Sequence, residues 1–287
     1  TTEIYTLSLH DALPILLEEW ADLNKPKYEK FFKEFSSLFK IGLNSDYSNK
    51  DRIIELLRFQ SSLLEKDELT SLKDYVSRMK EDQKEIYYVM SSHRDLIERN
   101  PNLEYFKKRN IEVLYMTDPV DVFTIPYIFE YDKKPLKSID KADIELEETT
   151  TAETSEPMSK DITETLIKLF KEVLGDKVED VKESKRLVNS AVTLVVGKQG
   201  LDPQMEKMMQ LMDKEFANSK RILEINTSHQ LIRNLSDLII SDSNNPLIKK
   251  TMIQLYEGAL LLEGYLKSPG DFVQRMNDLM IEATRVN

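Results

Sequence analysis

Few of the side chains in this sequence of 287 residues combine reactivity with useful spacing. His10, His93 and His229 are scattered, with no neighbours at ligand spacing, so neither a histidine metal site nor a catalytic triad is expected. Cysteine is absent, which excludes thiol nucleophiles, zinc-thiolate sites and disulfides. The seven glycines form no phosphate-cradling loop, and Gly197 and Gly200 read as turn residues. What remains is a set of thioethers. Leu201, Met205, Met208, Met209, Met212 and Phe216 lie at the spacing of one helix face along a helix opened by Asp202-Pro203, an N-cap and first-turn proline. Unbranched thioethers adapt to varied apolar partners, and they also fill irregular cores. Spacing alone allows both readings, and neither is an active site.

The elements that must carry such a face are clearest in the last forty residues. Ile248, Met252, Leu255, Ala259, Leu262 and Leu266 alternate in steps of four and three, which is one apolar seam on a helix. After Ser268-Pro269-Gly270 the rhythm resumes as Phe272, Met276, Leu279, Ala283 and Val286. Asn245-Pro246 and Ser268-Pro269 are start signals for the two helices. Ile253, Tyr256 and Leu260 add a second stripe to the first helix, so one face is left over after the pair has packed. A second copy closing a four-helix bundle would cover it, as would the rest of the same chain. The dimer is the expectation, with Ile248, Met252, Leu255, Ala259, Leu262, Phe272, Met276, Leu279 and Ala283 at its interface.

The length suits about two domains. A net charge of -11 and a pI near 5.0 argue against general nucleic-acid binding. No apolar run reaches the roughly 18 residues of a membrane helix, so a soluble, cytoplasmic protein without a membrane partner is expected. Lys and Arg are missing from the first 24 residues, and Thr1 to Ile15 reads as translated adaptor sequence joined to a truncated gene.

From Asn24 onward Tyr28, Phe31, Phe32, Phe35, Leu38 and Phe39 mark a helix whose aromatic stripe is expected in a core. A helix over about Asn49 to Phe59 follows, then a short one capped by Ser71-x-x-Asp74. Ile86 to Met90 and Ile111 to Met116 are β-prone, and the helical stretches between them, opened by Ser92 and by Asn100-Pro101, predict a parallel βαβ crossover. Asp118-Pro119 caps a short helix to about Pro126, and Phe129 to Ile139 predicts a hairpin. Asp140 to Lys160, acidic and rich in Thr and Ser, predicts an exposed linker. Beyond it come a helix ending near Gly175 and strands over Val178 to Glu183, Ala191 to Val196 and Arg221 to Asn226. The fold class is α+β: a helical and small βαβ module (16–139), the linker (140–160), then an α+β domain ending in the helix pair (161–287).

Several of these stretches, in this order, carry a resemblance. Leu56-Leu57-Arg58-Phe59, Tyr75-Val76-Ser77-Arg78-Met79-Lys80, Ile86-Tyr87-Tyr88, Ile111-Glu112-Val113-Leu114 and Thr117-Asp118-Pro119-Val120-Asp121 resemble the middle domain of the ninety-kilodalton heat-shock chaperones, bacterial HtpG type. Val181 to Leu187, Gln204-Met205 and Arg221 to Asn226 with His229 resemble that family's C-terminal domain. The resemblance covers about Leu16 to the end. It implies a homodimer closed by C-terminal helices and a chaperone that binds unfolded client proteins. It also implies that ATP and magnesium belong to an N-terminal domain absent from this chain, so no residue here is given a cofactor and no enzymatic activity is expected of it. The alternative is a dimeric scaffold with no client binding. Two places resemble the family's client surfaces: Phe123 with Pro126 and Tyr127, and the face bearing Leu201, Met205, Met208, Met209 and Met212. Arg58 reads as a surface or ion-pair residue. Arg285-Val286-Asn287 differs from the acidic Glu-Glu-Val-Asp ending of eukaryotic relatives, which favours the bacterial branch.

Overall fold

The computed structural model describes residues 9–44, 46–147, 158–213 and 219–285. It divides into two units, one of residues 1–98 and 110–138, the other of 99–109 and 139–287. The first opens with α1 (Leu9–Leu23) and α2 (Lys25–Ile41), and Asn24 caps α2 by accepting from the Lys27 amide. α1 runs through Ile15, where the adaptor-like stretch was expected to end; residues 1–8 of that stretch lie outside the described ones. There follow α3 (Lys50–Leu56), β1 (Gln60–Ser61), α4 (Leu72–Arg78), β2 (Ile86–Met90) and α5 (Arg94–Glu98). Residues 99–109, with α6 (Glu104–Lys108), are then contributed to the second unit. The first unit resumes with β3 (Val113–Met116), α7 (Asp121–Thr124), β4 (Glu130–Tyr131) and β5 (Lys134–Ser138).

Its sheet has the order β1-β3-β2-β5-β4, with β2 parallel to both β3 and β5, and the short edges β1 and β4 antiparallel. All five residues of β2 are buried, as a strand covered on both faces requires. The parallel β2 and β3 form the expected crossover pair, in register from Tyr87 with Val113 to Met90 with Met116. Tyr75 ties α4 to this pair: its hydroxyl donates to the Glu112 carbonyl at 2.8 Å and accepts from the Tyr87 amide at 3.0 Å. The hairpin turns at Asp132 and Lys133, with φ of 48° and 60°, the left-handed pair that a two-residue connection needs. On α2 the aromatic stripe is only partly core. Tyr28 and Phe32 are buried, whereas Phe35 and Leu38 stay 48% and 70% exposed.

The second unit continues through α8 (Lys160–Leu174), β6 (Val178–Glu183), β7 (Val192–Val196), α9 (Pro203–Met212), β8 (Arg221–Ile225), α10 (Gln230–Ser241), α11 (Pro246–Glu263) and α12 (Pro269–Ala283). Ser159 caps α8, and Gly175, at φ +52°, ends it in a backbone region that favours glycine. β8 lies between β6, to which it is parallel, and β7, to which it is antiparallel. The core beside this sheet joins Phe170 of α8, Leu223 of β8, Ile232 of α10 and Met252 of α11. The helix α10, capped by the His229 ring, was not anticipated from the sequence.

Residues 99–109 are built into this unit by polar contacts. Glu104 accepts from the amides of Val188, Asn189 and Ser190 at 2.6, 2.8 and 3.2 Å. Asn102 donates to Asp140 and to the Leu194 carbonyl, and accepts from the Thr193 hydroxyl. The stretch expected to be an exposed linker is packed at its start. Asp140 and Ile144 are buried and Lys141 bridges to Val196, because the backbone there continues the pairing at the β7 edge. Residues 148–157 of that stretch lie outside the described ones.

Candidate functional site

Among the described residues no group of three or more His, Asp or Glu is placed to hold a metal, and no helix is long and apolar enough to cross a membrane. An apolar cavity of about 140 Å³ lies between Ile162 and Leu166 of α8 and Ile239 and Ile240 of α10, well below the roughly 300 Å³ from which small-molecule sites begin. The candidates considered next are exposed apolar side chains, suited to contact with protein.

α9 is the first. Asp202 caps it by accepting from the Gln204 amide, and its first-turn Pro203 is buried. The residue most deeply buried on this helix is Glu206, which pairs with Arg221 of β8 at 2.6 Å. Around it Met205, Met208 and Met209 are half-buried, and Leu201, Leu211 and Met212 are 41%, 82% and 76% exposed. Phe216, expected to extend the stripe, lies outside the described residues. Leu211 was missed by the sequence reading because it falls beside the stripe.

The terminal helices are the second. The nine residues expected at a dimer interface separate into two groups. Ile248, Met252 and Ala259 are buried in their own unit's core together with Tyr256, and Leu255 packs partly against it. For these three the seam faces inward, because α11 lies against α8 and β7. Leu262 stays 63% exposed and Met276 38%, while Phe272 and Leu279 are half-covered and Ala283 is exposed. α12 has no buried residue at all, and Val273, Met276 and Met280 stand at i, i+3 and i+7 along one exposed side, 46%, 38% and 55% accessible. The helix pair is held by Lys250 to Asp278 at 3.0 Å and Arg275 to Glu257 at 2.5 Å. Val273 and Met280 were missed because the sequence seam ran beside them through Phe272 and Leu279, which are half-covered; Met276 is common to both stripes. Val286 lies outside the described residues.

On the first unit, α7 passes at Ile125 into a single 3-10 turn that accommodates Pro126. Phe123 and Pro126 are exposed, Tyr127 is half-buried, and Phe129 nearby is 67% exposed with the Lys50 ammonium 5.0 Å from its ring centre. Below them Asp121 is buried with Lys40. Burial drives its carboxyl above the usual range despite that partner. Asp118 is held below the usual range, because Lys40 and hydrogen bonds from Val120, Ser37 and Ser36 outweigh its own burial. Arg58 is spent locally, donating to the Glu55 and Leu57 carbonyls with its guanidinium over the Tyr28 ring.

The sequence can be compared with known proteins. Over residues 13–287 the sequence matches the family described as Hsp90 protein. The chain belongs to the Hsp90 family. It is 52% identical over 267 residues to the chaperone protein HtpG of Chlorobium luteolum, covering 93% of this chain and 43% of that relative. The chaperone protein HtpG of Chlorobaculum tepidum is also 52% identical, over 262 residues, 90% of this chain and 41% of the relative. That of Legionella pneumophila is 40% identical over 271 residues, 93% and 42% of the two chains. This Hsp90-family chain thus spans less than half the length of the curated relatives it matches.

Proposed function

We propose that this chain is a client-binding and dimerising part of an HtpG-type chaperone acting in the cytoplasm, corresponding to the later middle domain and the C-terminal domain. Two copies associate through α12 and the end of α11, and partly unfolded proteins are held by weak apolar contacts on α9 and around Phe123, Pro126 and Tyr127. The observation that supports this most is the outward-facing thioether surface of α9: a helix whose charged residue is buried while Met212 and Leu211 stand in solvent is arranged for a partner. ATP-driven cycling belongs to the reading of the whole chaperone, and no residue of this chain is assigned to ATP or magnesium.

Replacing Met208 and Met209 by aspartate is the direct test. Suppression of the aggregation of an unfolded client is expected to fall severalfold, with dimerisation unchanged, since both side chains are half-buried on α9 and neither lies on the terminal helices. Equal suppression by the variant and the parent would remove α9 from the client surface and leave a dimeric scaffold.

A further inference from the structure

With no cysteine in the sequence, every sulfur in this chain is a thioether, and there are eleven. The fold sorts them by access. Met90, Met116 and Met252 sit in the cores at 7%, 1% and 0% exposure. Four of the eleven follow one another along α9, and Met212, its last residue, is 76% exposed, the highest value of any methionine among the described residues. Met208 and Met209, one turn earlier, are half-buried. Met280 and Met276 of α12 stand between these extremes, at 55% and 38%.

A thioether that stands in solvent is open to oxidation. Hydrogen peroxide transfers one oxygen to the sulfur: the O–O bond breaks, an S–O bond forms, the sulfur is oxidised by two electrons, and the remaining oxygen leaves as water. The sulfoxide puts a strong hydrogen-bond acceptor where the side chain was apolar. A partner lying over it must leave that oxygen unbonded or keep water in the contact, and either weakens apolar binding.

We propose that Met212 is an oxidant-sensitive modification site, and that its sulfoxide, joined more slowly by those of Met209 and Met208, reversibly switches off the apolar face of α9. The inference rests on the reading of α9 as a client surface. The helix is attached through its buried Pro203 and through the ion pair of Glu206 with Arg221, and none of these carries sulfur. Oxidation therefore changes the face and leaves the attachment alone. The methionines on which the cores depend are shielded, so the fold outlasts the modification. Reversal needs a dithiol, as in a methionine sulfoxide reductase: the thiols give up two electrons and close to a disulfide, and the sulfoxide oxygen departs as water.

The 287-residue chain is treated with hydrogen peroxide, freed of it by gel filtration and mapped by peptide mass spectrometry. Sulfoxide is expected at Met212 first and at Met116 and Met252 last. The dissociation constant for reduced, carboxymethylated lactalbumin is expected to rise about fivefold, as one unbonded polar group in an apolar contact requires, with the thermal unfolding midpoint unchanged. A methionine sulfoxide reductase with dithiothreitol is expected to restore the starting value. Met212→Leu, referred to its own untreated affinity, is expected to lose less on the same treatment. Sulfoxide at Met276 or Met280 ahead of Met212 would overturn the proposal, and so would a midpoint that falls together with binding. A fully oxidised Met212 with unchanged affinity would overturn it as well, and Met208→Asp with Met209→Asp then decides what else has failed. If that variant binds lactalbumin weakly, α9 is the client surface and only the switch is lost; if it binds as the parent does, the client reading falls too.

Discussion

Met276→Glu combined with Met280→Glu is expected to convert a particle of twice 33.5 kDa into one of 33.5 kDa in sedimentation at tens of micromolar protein. Both side chains are already largely in solvent, so the folded chain loses little by the change, whereas an interface formed through them would have to bury four carboxylates at its centre. Burying Leu261, Leu262, Val273, Met276, Met280 and Ile281 from each copy, at about 1.5 kcal/mol or more per side chain, exceeds the roughly 4 to 15 kcal/mol cost of association even after partial burial is allowed for. One buried, unpaired charge removes several of those kcal/mol. The comparison that makes the experiment specific is Met252→Ala. Met252 is 0% exposed in the core of its own unit, so its truncation is expected to cost about 2 to 5 kcal/mol of folding stability without a specific effect on the association of molecules that remain folded. Should the double glutamate variant sediment as the parent does, α12 is not where copies meet.

Lys40→Ala is expected to destabilise the first unit by about 3 to 5 kcal/mol, a large part of the 5 to 15 kcal/mol typical of a domain. Lys40 is 4% exposed in its side chain and lies 2.5 Å from Asp121, itself 2% exposed, and 3.5 Å from Asp118. Without the ammonium, Asp121 is left as an unpaired charge in a buried place, and it must either stay ionised at high cost or take up a proton. Burial already drives Asp121 upward with its partner present. The loss is therefore expected to be greatest above neutral pH and to shrink as pH falls and the carboxyl is protonated. Urea unfolding at pH 5 and pH 8 checks both size and direction. The paired replacement Lys40→Met with Asp121→Leu removes both charges together and is expected to cost much less than Lys40→Ala alone. A single substitution no worse than the pair would mean that the ion pair contributes little.

What the sequence made legible was set by local periodicity. The parallel pair β2 and β3, the strands of the second unit and the capped starts of α9 and α11 follow from short apolar runs and from Asp202-Pro203 and Asn245-Pro246. The orientation of α11 was not legible, because apolar residues surround it and several stripes are possible. The one chosen by the core, Ile248, Met252, Tyr256 and Ala259, mixes residues from both stripes seen in the sequence. Charged residues misled in a second way. Lys40, Glu206 and Arg221 were given no place in the core by pattern, and each is buried beside an oppositely charged partner on another element. The exposure of Phe123 and Pro126 depends in turn on a helix four residues long passing directly into a 3-10 turn, a detail below the resolution of pattern reading.

The assignment of residues 99–109 to the second unit bears on how the molecule can be taken apart. Three peptide links, 98/99, 109/110 and 138/139, run between the units. A gene fragment ending at codon 138 would encode Glu104 without the amides of Val188, Asn189 and Ser190, and Asn102 without Leu194 and Thr193. Hydrolysis of one bond between 139 and 160 would likewise leave the two pieces gripping each other through those same contacts, so a nicked chain should migrate intact on a native gel and separate only in detergent.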